Sequence, residues 1–243
     1  MKDFFWWESL LGTSPYPGIE ISLVGAGGKT TFLYLLAQEA AKRGFRTAVS
    51  TTTHIYYPTA AQSQFTVTDN NLQNIETALE TCCLVTVGTL AGNGKLSAPS
   101  EAMFQYLQDT AEIILLESDG AKCLPVKVPR KGEPVLRNPQ IVLAVCGISS
   151  LGRPLEKICH RAELAKELLR VPGEHCLTPE DIAKILFYSY GKTGNQVIFI
   201  LNQADTEADR ILAVQTAEIL LHLGASQIVV ASAHKKYLRK ICR

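Results

Sequence analysis

The chain has 243 residues, of which 47% are hydrophobic and 19% charged, with a formal net charge of +1. That length suits one α/β domain with a large core, and the near-neutral balance gives no electrostatic case for nucleic acid or an acidic membrane surface. No apolar stretch reaches transmembrane length, and seven scattered cysteines, an odd number, suit a reduced cytoplasmic protein.

The first twelve residues, MKDFFWWESLLG, are aromatic, short and partly acidic. They read as an amphipathic arm packed on the domain rather than a signal peptide. Residues 21–24 then form an apolar strand, and residues 29–43 a helix with Leu33, Leu36, Ala37, Ala40 and Ala41 on one side. Further strands are predicted at 46–50, 83–87, 113–117, 141–145, 197–201 and 228–230. Further helices are predicted at 74–81, 100–110, 161–170, 178–190 and 206–223. Thr178-Pro179-Glu180-Asp181 is a helix start, with a capping hydroxyl, proline in the first turn and two acids. Residues 91–95, AGNGK, read as a hairpin turn. Strands separated by helices imply a mostly parallel sheet with helices on both faces. The expected organisation is one P-loop NTPase-like α/β domain over 1–243. Within it, residues 147–191 form a helical insertion of two helices with no strand between them.

Between the first strand and the first long helix lies VGAGGKTT, residues 24–31. Glycines let a backbone approach phosphate oxygens so that successive N–H groups point at them, and the helix start adds its dipole. Gly25, Ala26, Gly27, Gly28, Lys29, Thr30 and Thr31 are therefore the expected phosphate site. Lys29 would reach the β- and γ-phosphates and the Thr30 hydroxyl would ligate Mg²⁺. The usual pattern has glycine at position 23, where Leu23 stands, so the loop has a tighter or altered shape. A plain glycine-rich strand-to-helix turn is the alternative.

The run AEIILLESDG, residues 111–120, ends a buried strand on Glu117 and Asp119, followed by Gly120. Carboxylates there hold Mg²⁺ or polarise an attacking water in phosphate-loop enzymes. Alternation puts both on one side if the strand runs that far. Lys29, Glu117 and Asp119 are the expected catalytic groups, and Thr30, Glu117 and Asp119 the expected metal ligands. Ser50-Thr51-Thr52-Thr53-His54 follows another strand and offers consecutive hydroxyls as a Mg²⁺ ligand or γ-phosphate sensor, with His54 a candidate to orient water.

Asn202-Gln203-Ala204-Asp205 ends a later strand, where GTP-binding proteins carry Asn/Thr-Lys-x-Asp. An Asp carboxylate at that point accepts from guanine N1–H and its 2-amino group; Gln203 stands in for the usual lysine. Ser232-Ala233 is similar to the loop whose backbone N–H contacts guanine O6. GTP is therefore favoured over ATP, the alternative being that Asn202 and Asp205 only cap the helix beginning near Thr206. Gly191-Lys192-Thr193 imitates the first motif without its context and reads as a helix end. Cys82-Cys83 read as core packing at a strand start, Cys123 is the one cysteine near the acidic loop, and no pair has zinc-site spacing.

In order, VGAGGKTT, STTTHIYYP, ESDGAKCLPVKVP, GRPLEKICHR and LNQAD resemble the YqeC family, described as selenium-dependent hydroxylase accessory or selenium cofactor biosynthesis proteins. The resemblance covers nearly the whole chain. More distantly, the acidic strand end followed by glycine is similar to the metallochaperone GTPases of hydrogenase and urease maturation. The resemblance implies a role in maturing molybdenum hydroxylases that carry labile selenium. It marks Thr51, Thr52, Thr53 and His54 as a second shared segment, and Glu117, Asp119, Gly120, Lys122, Pro125, Lys127 and Pro129 as a third. Lys122 and Lys127 would hold an anionic ligand or stand as solvated loop charges, while Arg153, His160 and Arg161 would close over the site. The expected partners are a nucleotide with Mg²⁺ and a molybdenum hydroxylase or its cofactor, without nucleic acid or membrane, and with a homodimer left open. Nucleotide hydrolysis gating cofactor delivery is the leading function. A nucleotide-dependent transferase or ligase, and a non-hydrolysing binding module, are the alternatives.

Overall fold

The computed structural model describes residues 5–69 and 71–242. Its α/β chain divides into two compact units interleaved in sequence. The first takes residues up to Leu23, Thr30–Gly120 and Val135–Gln140; the second takes Val24–Lys29, Ala121–Pro134 and the residues from Ile141 on.

The first unit is built on parallel strands in the order Ile19–Gly25 (through Leu23), Ile113–Glu117, Thr47–Thr51, Leu84–Val87, Phe65–Val67. The register sets Leu23 and Thr51 each opposite Glu117, so three strand ends finish level with the acidic residue. The central strands are buried along their whole length, which is why they read as unbroken apolar runs rather than alternating ones. Helix Lys29–Lys42 buries Leu33, Leu36, Ala37 and Ala40 of the expected stripe completely, together with Phe32, whereas Ala41 is only partly buried. Helix Leu72–Cys82 is capped by the Asn71 side chain and helix Glu101–Thr110 by Ser100. Ile75, Leu79, Phe104 and Leu107 from these helices pack with Ala48, Val85 and Leu116 of the strands. Thr89–Leu90, Lys95–Ser97 and His54–Tyr56 make a small antiparallel sheet that includes the expected hairpin turn. In the expected N-terminal arm, residues 1–4 lie outside the described residues; Trp6–Leu11 is a helix whose first amides, Trp6 N–H and Trp7 N–H, donate to Glu39 at 2.6 and 2.7 Å.

The second unit has parallel strands Ile141–Gly147, Gln196–Asn202 and Gln227–Ser232, closed by the antiparallel strand Tyr237–Cys242. That last strand was not expected: exposed Arg239 and Lys240 hide it in the sequence and suit a sheet edge. Helices Pro179–Tyr190 and Glu207–Leu223 both start on capping boxes, Thr178 with Asp181 and Thr206 with Asp209. Within residues 147–191 no strand is described between helices Ala162–Leu169 and Pro179–Tyr190, as expected, but a short helix, Leu155–Ile158, and a short strand come before them. Cys159–His160 pairs in parallel with Val126–Lys127, a pairing of two residues and so too short to show as a pattern. Cys83 is the left-handed residue closing helix Leu72–Cys82 rather than the start of a strand. Among the described residues no helix is long and apolar enough to cross a membrane.

Candidate functional site

In the second unit, the end of strand Ile19–Gly25 turns through Ala26–Gly28 into Lys29, the first residue of the long helix. Two glycines are required here. Gly27 has φ +72°, and a Cβ on it would lie 2.6 Å from Gly147 Cα and 2.9 Å from Pro125 O, closer still to Gly147 N. Gly28 has φ +130°, and its Cβ would overlap the Asn202 side-chain amide. The loop therefore passes so close to main chain at Gly27, and to the Asn202 side chain at Gly28, that neither position has room for a Cβ. The turn begins at Gly25, while Leu23 is a fully buried strand residue. Position 23 needs no left-handed conformation, which accounts for the missing first glycine of the usual pattern. The Ala26 N–H donates to Val145 O at 2.8 Å, so this one amide of the expected cradle is used within the unit. Lys29 is 4% exposed and its Nζ donates to Gly25 O at 2.7 Å, folded back along the loop.

The loop is latched by Asn202. Its Nδ2 donates to Gly27 O at 2.8 Å, and its Oδ1 accepts from Ala233 N–H at 3.3 Å. Gln203 is left-handed, φ +66°, and its Oε1 accepts from Ser149 Oγ at 2.6 Å. Ala204 N–H donates to Ala231 O at 3.1 Å, and Ser232 Oγ donates to Asp205 Oδ1 while accepting from Lys235 N–H at 3.0 Å. The two segments singled out for base recognition, 202–205 and 232–233, are thus hydrogen-bonded to each other, with Asp205 itself exposed. Neither Asn202 nor Asp205 caps the following helix; Thr206 does, its Oγ accepting from Asp209 N–H at 3.2 Å.

In the first unit, Thr30 Oγ1 donates to Glu117 Oε2 at 2.7 Å. Glu117 is 6% and Asp119 1% exposed. The strand stops at Glu117, so the two acids are not placed by strand alternation. Ser118 N–H donates to Leu23 O at 2.9 Å, and the chain leaves the sheet there. The neighbouring hydroxyls are largely committed to main chain: Ser50 Oγ donates to Val87 O at 2.7 Å, Thr51 Oγ1 to Glu117 O at 2.8 Å and Thr52 Oγ1 to Val135 O at 2.9 Å. Thr53 Oγ1 would stand 3.6 Å from a Cβ on Gly120. His54 and Thr31 are exposed, His54 at the start of the small antiparallel sheet and Thr31 on the helix.

The segment after Gly120 carries a charge cluster in the second unit. Lys127 is buried, and its Nζ lies 2.7 Å from Glu133 Oε2; Arg161 grips both Glu133 oxygens at 2.6 and 2.7 Å, and Arg130 Nε is 3.0 Å away. Burial works against the Glu133 charge, but the hydrogen bonds from Arg161 and Lys127 outweigh it and hold the carboxyl at about 2. Lys127 is therefore no solvated loop charge, whereas Lys122 is exposed. His160 is pushed below the usual histidine range by burial, then by Arg161, Lys127 and Lys122. Arg153 is exposed. Sequence reading missed Glu133, which looks like one more polar loop residue in KGEP. All seven cysteines are free thiols. Cys146 and Cys159 are buried, which raises both thiols, Cys159 to about 12, and makes them unreactive. Cys123 is exposed. Among the described residues no group of three His, Cys, Asp or Glu side chains is arranged to hold a metal.

The YqeC family model, "YqeC protein", matches residues 21–163, more than half of the chain. A relative from Escherichia coli (strain K12), described as "Uncharacterized protein YqeC", is 28% identical over 189 residues, covering 76% of this chain and 73% of that protein. Among solved structures, FtsY from Mycoplasma mycoides is 14% identical with a TM-score of 0.32, over 92% of this chain and 57% of that one. Chloroplast FtsY from Physcomitrella patens is 16% identical with a TM-score of 0.32, over 92% and 52%. The chain thus spans little more than half the length of these FtsY chains.

Proposed function

The chain belongs to the YqeC family, and on that premise we propose that it is a Mg²⁺-dependent nucleotide-binding and nucleotide-hydrolysing protein acting in the maturation of selenium-dependent molybdenum hydroxylases. The observation that carries the nucleotide reading is the loop at Gly27 and Gly28, where main chain at Gly27 and the Asn202 side chain at Gly28 occupy the space a Cβ would need, and which then runs into Lys29 at a helix start. Such a turn presents N–H groups and a helix dipole to an anion. The residues present fit the expected groups. Lys29, already folded over the loop, would hold phosphate as a point charge. Thr30 and Glu117, in contact at 2.7 Å, supply the hard oxygen ligands that Mg²⁺ takes, with Asp119 as a further carboxylate. When bound, Mg²⁺ would offset the charge that builds on a transferring phosphoryl group.

The guanine reading, with GTP favoured over ATP, is supported by the bonds joining Asn202–Asp205 to Ser232–Ala233 and by the exposed Asp205 carboxylate. Gln203 is held by Ser149 through its side-chain oxygen. The family resemblance is what supports the selenium role, a molybdenum hydroxylase or its cofactor as partner, and a cytoplasmic setting; a homodimer is the assembly to test. Arg161 is gripped by Glu133 and would have to exchange that partner to serve a phosphoryl group.

The test is product analysis after incubation of the purified chain with ATP, GTP and CTP, each with Mg²⁺. Release of inorganic phosphate, fastest from GTP, is expected. A new phosphorylated or nucleotidylated compound would replace hydrolysis by the transferase reading. Binding without turnover would leave a binding module, and no binding would remove the reading.

A further inference from the structure

Six residues of the first unit, Val135–Gln140, tie residues beside the acidic strand end to a buried carboxyl elsewhere in the same unit. At one end Val135 N–H donates to Ser118 O at 3.2 Å and Val135 O accepts from Thr52 Oγ1 at 2.9 Å. At the other, Gln140 N–H donates to Glu20 O at 3.1 Å, Gln140 Oε1 accepts from Glu20 N–H at 2.7 Å, and Gln140 Nε2 donates to Gly18 O at 3.2 Å. Midway, Arg137 lies 4.4 Å over the Phe104 ring and donates to Glu101 at 2.7 Å. That pair is at the surface, with the Glu101 side chain 75% exposed, and is of the kind that contributes little to stability.

Glu20 is 7% exposed. Gln108 Nε2 reaches its Oε2 only at 3.4 Å, and its buried Oε1 has no hydrogen-bond partner among the described residues. Beside it is a cavity of about 250 Å³ bordered by Glu20, Gln108, Glu112, Arg137, Asn138 and Gln140. Burial pushes the Glu20 carboxyl up to about 7, against the pull of the Gln108 hydrogen bond and the Arg137 charge. The charged groups around it are Arg137 on the connecting segment, Glu101 on helix Glu101–Thr110, and Glu112, whose carboxylate takes the Arg46 N–H at 2.9 Å and faces Arg46 Nε at 3.6 Å. Arg137 is the cation whose partner is exposed and cheaply exchanged.

We propose that Glu20 and the Val135–Gln140 strap form a proton-operated device, in which ionised Glu20 draws Arg137 from Glu101 across the cavity and so alters the hold of Val135 on Thr52 and Ser118. A buried carboxylate without a partner is costly, so ionisation must either recruit a cation or admit water. The cavity gives the guanidinium room to move. The proton leaves Glu20 for solvent, and the strap shifts with the arginine that it carries.

The test is NMR of the full chain from about pH 5.5 to about pH 8.5, a window that brackets the raised carboxyl. It follows the Glu20 side-chain carboxyl carbon, the Arg137 Nε–H and the Val135 and Thr52 amides. One shared midpoint near 7 is expected in all four signals. Glu20→Gln should abolish that midpoint at Arg137, Val135 and Thr52. Arg137→Ala, at a partly exposed position that leaves the fold intact, should raise the Glu20 midpoint further and leave Val135 and Thr52 insensitive to pH. A Glu20 midpoint in the ordinary carboxylate range would overturn the proposal. So would strap amides that do not follow Glu20, or an inflection that survives either substitution. Should Glu20→Gln fail to fold, the Arg137→Ala result decides alone.

Discussion

Gly27→Ala tests the shape of the candidate phosphate loop. Two costs are separable there. An L-residue at φ +72° is left-handed, which costs roughly 1–2 kcal/mol. The added Cβ also meets Gly147 Cα at 2.6 Å and Pro125 O at 2.9 Å, both main-chain atoms that cannot swing away. Overpacking of that kind costs typically about 1–3 kcal/mol. The expected loss is therefore about 2–5 kcal/mol. Gly44→Ala supplies the control: φ is +87° and nothing lies within 4 Å of the new Cβ, so only the conformational part, roughly 1–2 kcal/mol, should appear. Urea unfolding of the two variants and wild type measures both, provided the slope with denaturant is unchanged. Gly27→Ala should also weaken nucleotide binding where it still folds, whereas Gly44→Ala should not. Equal destabilisation by the two substitutions would refute the close passage of the loop against Gly147 and Pro125.

Asn202→Ala should cost about 2–4 kcal/mol in the same unfolding assay, because Gly27 O and the Ala233 N–H both lose their partner; a loss under about 0.5 kcal/mol would show that the latch is not formed. Asp205→Asn should shift preference from GTP toward xanthosine triphosphate, since an amide can donate where a carboxylate only accepts. Wild-type protein that binds ATP as well as GTP would end the guanine reading. The raised Glu20 carboxyl predicts a stability slope. Its contribution is fully present below its ordinary 4.5 and is lost as pH rises through about 7, by at most about 3 kcal/mol. Thermal unfolding should therefore show wild type losing stability across that window, and Glu20→Gln losing less.

Much of the architecture could be read from the chain because buried parallel strands leave unbroken apolar runs. Residues 113–117 were expected and found, ending on Glu117 with its neighbours in register. The helix start at Thr178 was legible because capping is local chemistry, whereas the cap at Thr206 falls to that threonine and not to the expected Asn202 or Asp205. Tyr237–Cys242 was not, since an edge strand needs apolar residues on one side only and here carries Arg239 and Lys240. Cys159–His160 pairs over two residues, below any periodicity. In the site, Lys29 and Thr30 stood out by motif, whereas the Asn202 bond to Gly27 joins residues 175 apart and has no local signature. The commitment of Lys127 and Arg161 to Glu133 was equally hidden, because only folding shows that this loop carboxylate is half-buried and shared.

The central claim, that Gly25–Thr30 receive the phosphates of a nucleotide, is tested most directly by equilibrium titration of wild type and Lys29→Ala with Mg²⁺-GTP. Lys29 is the cation folded over the loop at 2.7 Å from Gly25 O. Losing a charge-assisted contact of about 1.5–3 kcal/mol should weaken binding by roughly tenfold to more than a hundredfold. Circular dichroism should show the variant's fold unchanged. Saturable wild-type binding that is weakened by at least about tenfold in the folded variant is the predicted result. Equal affinity in the two proteins, or no binding by wild type to any nucleoside triphosphate, would contradict the account.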